Sequence, residues 1–270
     1  VLNNESTNEY GNLSENCPLY FGNPSDAAPS EDSEINFLME KKQYSLSYNN
    51  QSFCANWVAW HLDVDDLGDS GRANNFRADS EIPKSWYRIK KADYQFVKYG
   101  FDRGHLCPSA DRTKTEEDNE MTFLMTNMVP QSPDCNRIVW KDLEEYERDL
   151  ANQNNELYIF AGPSGCGGIG TKGQFEYIPV LLSDGKEIRI NIPQYTWKII
   201  LILPKGEDDI SRVDVDTKII AVKIPNEQGC QNDLSWKNYL VTVDEIEQIT
   251  GFDFFELLPD EIENIIESRK

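Results

Sequence analysis

Phe101-Asp102-Arg103-Gly104-His105-Leu106-Cys107-Pro108-Ser109-Ala110-Asp111-Arg112 sets one of the chain's two histidines between arginines. Imidazole exchanges a proton near neutral pH, which few side chains do. Guanidinium stays charged and grips phosphate oxygens through two parallel N–H donors. The segment therefore combines a proton acceptor with groups suited to an anionic, phosphate-bearing substrate.

Charge sharpens this reading. The 270-residue chain has a formal net charge of −21, yet residues 72–114 hold ten Lys/Arg against five Asp/Glu. Residues 1–71, by contrast, hold two basic and twelve acidic side chains. Such a balance argues against salt-driven wrapping of nucleic acid and leaves room for a local basic cleft. At 31.0 kDa and 39% hydrophobic, the chain is long enough for one large domain with a buried core. Its longest apolar runs, such as Trp197–Leu203, are strand-sized, so no membrane span is expected.

Residues 1–34 are acidic, low in complexity and rich in Asn, Ser and Pro, which suggests a segment that is loose or laid over the surface, ahead of a domain over 35–270. No signal peptide is visible behind Val1, a start compatible with a removed export signal; a secreted, periplasmic or cell-surface location is expected, and the sequons at Asn4, Asn12 and Asn50 bear on it only in a eukaryotic source. Six cysteines without a Cys-x-x-Cys pair do not form a zinc site; their even number permits three disulfides or a set of buried thiols.

Along the domain, Phe37–Met39 suggests a helical turn and Tyr44–Tyr48 a strand. Residues 53–62 read as a strand with Val58, Trp60 and Leu62 on one face. Phe96–Tyr99 reads as a short strand entering the histidine segment, residues 115–121 as a helical turn, and Thr122–Met128 as a buried strand. A helix over 135–152 follows Pro130 and Pro133, then strands at 157–161, 177–182, 197–203 and 218–224 and helices near 243–249 and 259–268. The pattern gives one α+β domain with a central, mostly antiparallel sheet.

On the 135–152 helix, Asn136, Trp140, Glu144 and Arg148 recur at +4 and so share a face. Alone, this is compatible with a capping Asn and a surface ion pair. Together with Asp102-Arg103-Gly104-His105, Pro108–Thr113, Phe123–Gln131, Asn136 followed by Trp140–Tyr146, Asn75-Phe76-Arg77 and Glu156–Gly162, it resembles the DNA/RNA non-specific endonucleases of the ββα-metal superfamily, the sugar-non-specific secreted nucleases. The likeness runs over roughly residues 35–260.

The resemblance implies a fold with a ββα-metal motif and a Mg²⁺-dependent enzyme, with Mn²⁺ or another divalent cation able to substitute. It would cut DNA and RNA to 5′-phosphate ends. His105 would be the general base, Asn136 the single direct ligand of a hydrated cation, and Glu144 the residue orienting its waters. Arg72, with Arg77 as the alternative, would stabilise the transition state; Arg103 and Arg148 would bind substrate. A protein inhibitor is a further implied partner. The competing reading is an inactive member that binds nucleic acid or protein without cutting it.

Three other features carry less. His61 lies in a strand-like run with no arginine motif and reads as structural. Asp63, Asp65, Asp66 and Asp69 lack a closing Glu and read as a solvated acidic loop. Gly165-Cys166-Gly167-Gly168-Ile169-Gly170 matches a dinucleotide fingerprint in letters only, since no helix pattern follows it.

Overall fold

The computed structural model describes residues 16–233 and 235–270. β1 (Phe37–Glu40) and β2 (Ser45–Asn49) form a hairpin that continues into β3 (Cys54–Leu62). A one-turn helix, α1 (Phe96–Tyr99), precedes β4 (Asp102–His105). α2 (Glu116–Met121) precedes β5 (Met128–Gln131), which leads into a π-helical turn (Cys135–Trp140) continuous with α3 (Lys141–Asn152). β6 (Asn155–Ser164) is followed by two small hairpins, β7 (Gly168–Gly170) with β8 (Gly173–Phe175) and β9 (Tyr177–Leu181) with β10 (Glu187–Asn191). β11 (Tyr195–Pro204), α4 (Asp209–Arg212), β12 (Lys218–Pro225), β13 (Leu240–Val241), α5 (Val243–Thr250) and α6 (Asp260–Glu267) complete the chain.

Seven strands pair in the order β1-β2-β3-β6-β11-β12-β13. Every neighbouring pair is antiparallel, as the sequence pattern suggests. Both faces of this sheet are covered, which explains the near-continuous apolar runs of its central strands: side chains alternate between two cores. Val58, Trp60, Leu62, Ile159 and Ile200 face one core. Trp57, Ala59, Tyr158, Phe160, Ile199 and Leu201 face the other. The first core is roofed by β4, β5 and α3, the second by α5, α6 and the N-terminal residues.

Several local expectations are corrected. Residues 16–34 are not loose: Leu19, Phe21 and Ala27 are buried in the second core, and Ala28 bridges to Phe37. Their apolar minority is sparse but lands against the sheet; residues 1–15 lie outside the described residues. Phe37–Met39 belongs to a strand because β2 offers it an edge. Phe96–Tyr99 is helical because Gln95 and Gly100 bracket it in the left-handed region, and Gly100 N–H closes the turn on the Phe96 carbonyl. Over 122–127 the chain turns, and only Met128–Gln131 is strand. The acidic loop is not simply solvated, since buried Asp63 pairs with Lys205 at 2.7 Å. The six cysteines are free thiols.

Candidate active site

The histidine segment becomes β4, antiparallel to β5 with His105 opposite Met128 and Gly104 opposite Val129. Gly104 is required here, because a Cβ would stand 2.1 Å from Oε1 of Gln131. Asn127 fixes the chain beyond His105: its side chain accepts from the Cys107 N–H and donates to the Cys107 and Thr122 carbonyls. Asn226 holds the turn after β5 in the same way, accepting from Ser132 N–H and donating to the Pro130 and Pro193 carbonyls. Together β4, β5 and the 135–152 helix form a ββα unit over the first core.

These elements enclose a cleft of about 280 Å³ lined by His105, Arg72, Arg103, Asn136, Glu144 and Arg148, with Arg137, Lys141 and Ser109. His105 is buried against the rings of Phe123 (4.9 Å) and Phe76 (5.6 Å), and its Nε2 has no hydrogen-bond partner among the described residues. Burial, helped by the Arg72 and Arg103 charges, pushes its pKa down to about 3. The imidazole is thus neutral at pH 7.

The same two rings seat the arginines. The Arg72 guanidinium lies 4.9 Å over Phe123 and donates to Ser109 Oγ at 2.6 Å; that of Arg103 lies 4.7 Å over Phe76. No carboxylate among the described residues forms an ion pair with either. Arg148 is different, donating to the fully buried Asp111 at 2.8 Å.

Arg77 is not in the cleft. Its backbone pairs with Phe123 and Met125, so the extended chain points Phe76 toward His105 and Arg77 the other way. There Arg77 donates to the Glu120 carbonyl at 2.7 Å. Of the two arginines considered from sequence, only Arg72 reaches the histidine.

Asp102 anchors the helical side. It accepts from Asn136 Nδ2 at 2.9 Å and from Arg137 Nε and an Nη at 2.8 and 2.6 Å. With its amide nitrogen engaged, Asn136 keeps Oδ1 as its open oxygen. Burial pushes Glu144 up to about 8; Lys198 and Arg148 pull it down, while Asp111 and Glu147 push it further up. Beneath it, Glu147 and Lys198 pair at 2.9 Å, both fully buried, with Lys198 4.4 Å over the Trp140 ring.

The π-helical start changes the face read from sequence. Trp140 is buried in the core rather than aligned with the cleft, and the stripe that lines the cleft is Arg137, Lys141, Glu144 and Arg148, spaced +4, +3, +4. Asn136 joins it from the widened turn. Arg137 and Lys141 were not singled out from sequence, although that spacing was there to read. His61, as expected, is structural: it is buried between Asp66 (3.6 Å) and Glu156 (3.4 Å). The Gly165–Gly170 run contributes the β7–β8 hairpin, with no helix after it.

Chemically, the cleft offers a neutral base, two guanidinium groups free of carboxylates, and an amide oxygen beside a carboxyl group. Comparison with known proteins bears on the family and the fold. A family model described as DNA/RNA non-specific endonuclease matches residues 24–261. A nuclease from a Nostoc species is 45% identical over 251 residues, 93% of this chain and 85% of that protein. Human mitochondrial endonuclease G is 26% identical over 228 residues, 80% of this chain and 69% of that protein. Among solved structures, an EndoG/EndoGI complex described as showing the mechanism of EndoG inhibition superposes with a TM-score of 0.69 at 22% identity, covering 94% of this chain and 96% of that one.

Proposed function

The chain belongs to the DNA/RNA non-specific endonuclease family, and we propose that it hydrolyses phosphodiesters of both DNA and RNA in the cleft between β4 and α3, leaving 5′-phosphate ends. The observation that carries this reading is the convergence of neutral His105 with the carboxylate-free Arg72 and Arg103. Desolvated guanidinium groups attract the phosphate, and the unpartnered imidazole nitrogen takes the proton of the attacking water. As phosphate charge enters the cleft it favours the imidazolium that this transfer creates, which offsets the low pKa of the free enzyme. Arg148, held by Asp111, and Arg137 and Lys141 extend the basic lining along the helix. Nothing in this chemistry requires a particular base or a 2′-hydroxyl.

A divalent cation fits the cleft. Asn136 Oδ1 and the Glu144 carboxyl are hard oxygen donors, and burial without an adjoining ion pair raises the Glu144 pKa, as expected of a carboxylate completed by a cation. Asn136 would hold it directly and Glu144 through water. When bound, the cation, Mg²⁺ first and Mn²⁺ as a substitute, supplies positive charge beside the reacting phosphate.

Two further parts of the proposal concern surroundings. Export is part of the proposal, with the sequons bearing on it only in a eukaryotic source. A protein inhibitor is proposed as a partner because the solved neighbour is an EndoG chain with EndoGI, and the basic cleft rim suits an acidic surface. The function is tested by incubating plasmid DNA and a long RNA with the enzyme in MgCl₂ or EDTA and labelling the product ends. Cutting of both polymers in Mg²⁺ alone, with phosphorylated 5′ ends, is expected. Cutting unaffected by EDTA, or 5′-hydroxyl ends, contradicts the reading.

A further inference from the structure

On the sheet face opposite the cleft, α5 and α6 bring together carboxylates that form no ion pair among the described residues. Asp244 and Glu247 are one turn apart on α5, and Glu267 lies at the end of α6. Oxygens of these three side chains lie within 4.8 Å of one another. Surface carboxylates often cluster without consequence, but Glu267 is only 6% exposed and its Oε1 is buried without a hydrogen-bond partner. Glu263, one turn earlier on α6, also has an unpartnered buried oxygen.

The neighbouring basic groups are engaged elsewhere. Lys270 pairs with Glu245 at 3.0 Å, and Arg269 donates to the Val215 carbonyl. Among the described residues, none of Asp244, Glu247, Glu263 and Glu267 forms an ion pair; the Glu247 carboxylate accepts the Phe254 N–H, at 2.8 Å. Burying an unpaired carboxylate is costly, and like charges nearby increase that cost. Burial and the surrounding acids accordingly push Glu267 up to about 9 and Glu263 to about 7.

We propose that Asp244, Glu247 and Glu267 bind a structural Ca²⁺ that ties α6 to α5, with Glu263 in support. The donors are all carboxylate oxygens, which excludes a cation seeking nitrogen or sulfur. They come from two helices and range from exposed to buried, an irregular set that the flexible, high coordination number of Ca²⁺ accommodates better than the strict octahedron of Mg²⁺. Glu263 and Glu267 lie beyond residue 261, where the family match ends.

The test is calorimetric melting of the full chain carrying Asn136→Ala, which removes the cleft ligand, in EDTA, CaCl₂ or MgCl₂. Affinity in the roughly 0.1–1 mM range is expected for a partly exposed carboxylate site, so 10 mM CaCl₂ raises Tm by about 2–6 °C. Glu267→Gln and, separately, Asp244→Asn abolish this rise while melting in EDTA no lower than their parent, because each relieves repulsion. Identical melting in CaCl₂ and EDTA overturns the proposal. So does a calcium-induced rise that persists in both variants, or an equal rise with MgCl₂.

Discussion

At the scale of single residues, the cleft depends on which way each side chain points. Arg72 and Arg77 are equivalent as letters, but Arg72 stacks over Phe123 beside His105 whereas Arg77 ties two backbone segments behind it. Arg72→Ala is therefore expected to lower kcat by about 10²-fold with little change in melting. Arg77→Ala is expected to cost about 1–3 kcal/mol of stability, read as a lower Tm, with kcat retained. The opposite pattern in the two variants would show the roles reversed. His105 adds a pH signature. Its folded pKa is depressed to about 3, so between about pH 6.5 and 3 the unfolded chain binds the extra proton. Stability from burying neutral imidazole is full above pH 6.5 and is lost as pH falls through that window. Tm of His105→Leu should consequently fall less than that of the parent between pH 7 and pH 5; parallel curves would contradict the depressed pKa. His105, Asn136, Glu144 and Arg148 were legible in the sequence because motif and helical spacing record them. The choice between Arg72 and Arg77 was not, since it depends on strand-like alternation in a segment with no strand pattern.

At the scale of elements, β4 and the helix it faces are joined through one carboxylate. Asp102, at the start of β4, holds both Asn136 and Arg137 on the π-helical turn. Asp102→Ala should leave the Asn136 amide free to rotate, raising the divalent-cation concentration for half-maximal cutting by about 10–100-fold. A metal titration unchanged from the parent would remove Asp102 as the positioning residue. The helix itself was legible, but its wider first turn was not, because π-helical geometry follows from packing against β4 and the core rather than from residue preferences. That is why the sequence put Trp140 in the functional row; Arg137 and Lys141 were left out although their spacing with Glu144 and Arg148 was readable as a helix face. Phe96–Tyr99 was misread for a related reason: its residues prefer strands, and the left-handed Gln95 and Gly100 on either side decide otherwise.

At the scale of the whole molecule, a sheet buried on both faces separates two tasks. One face carries the cleft, and the other is closed by α5, α6 and the segment containing Leu19 and Phe21. The alternating strands made the central sheet legible, whereas the N-terminal contribution was hidden because two or three apolar residues in a polar stretch acquire meaning only where they dock. The acidic body leaves the basic lining of the cleft as a localised attraction for phosphate. The central claim is that this lining serves a proton transfer by His105, and the most direct measurement is plasmid cleavage by His105→Ala beside the parent in MgCl₂, with circular dichroism establishing that both are folded. A loss of at least about 10²-fold in rate is expected; a folded variant that cuts as fast as the parent would contradict the account.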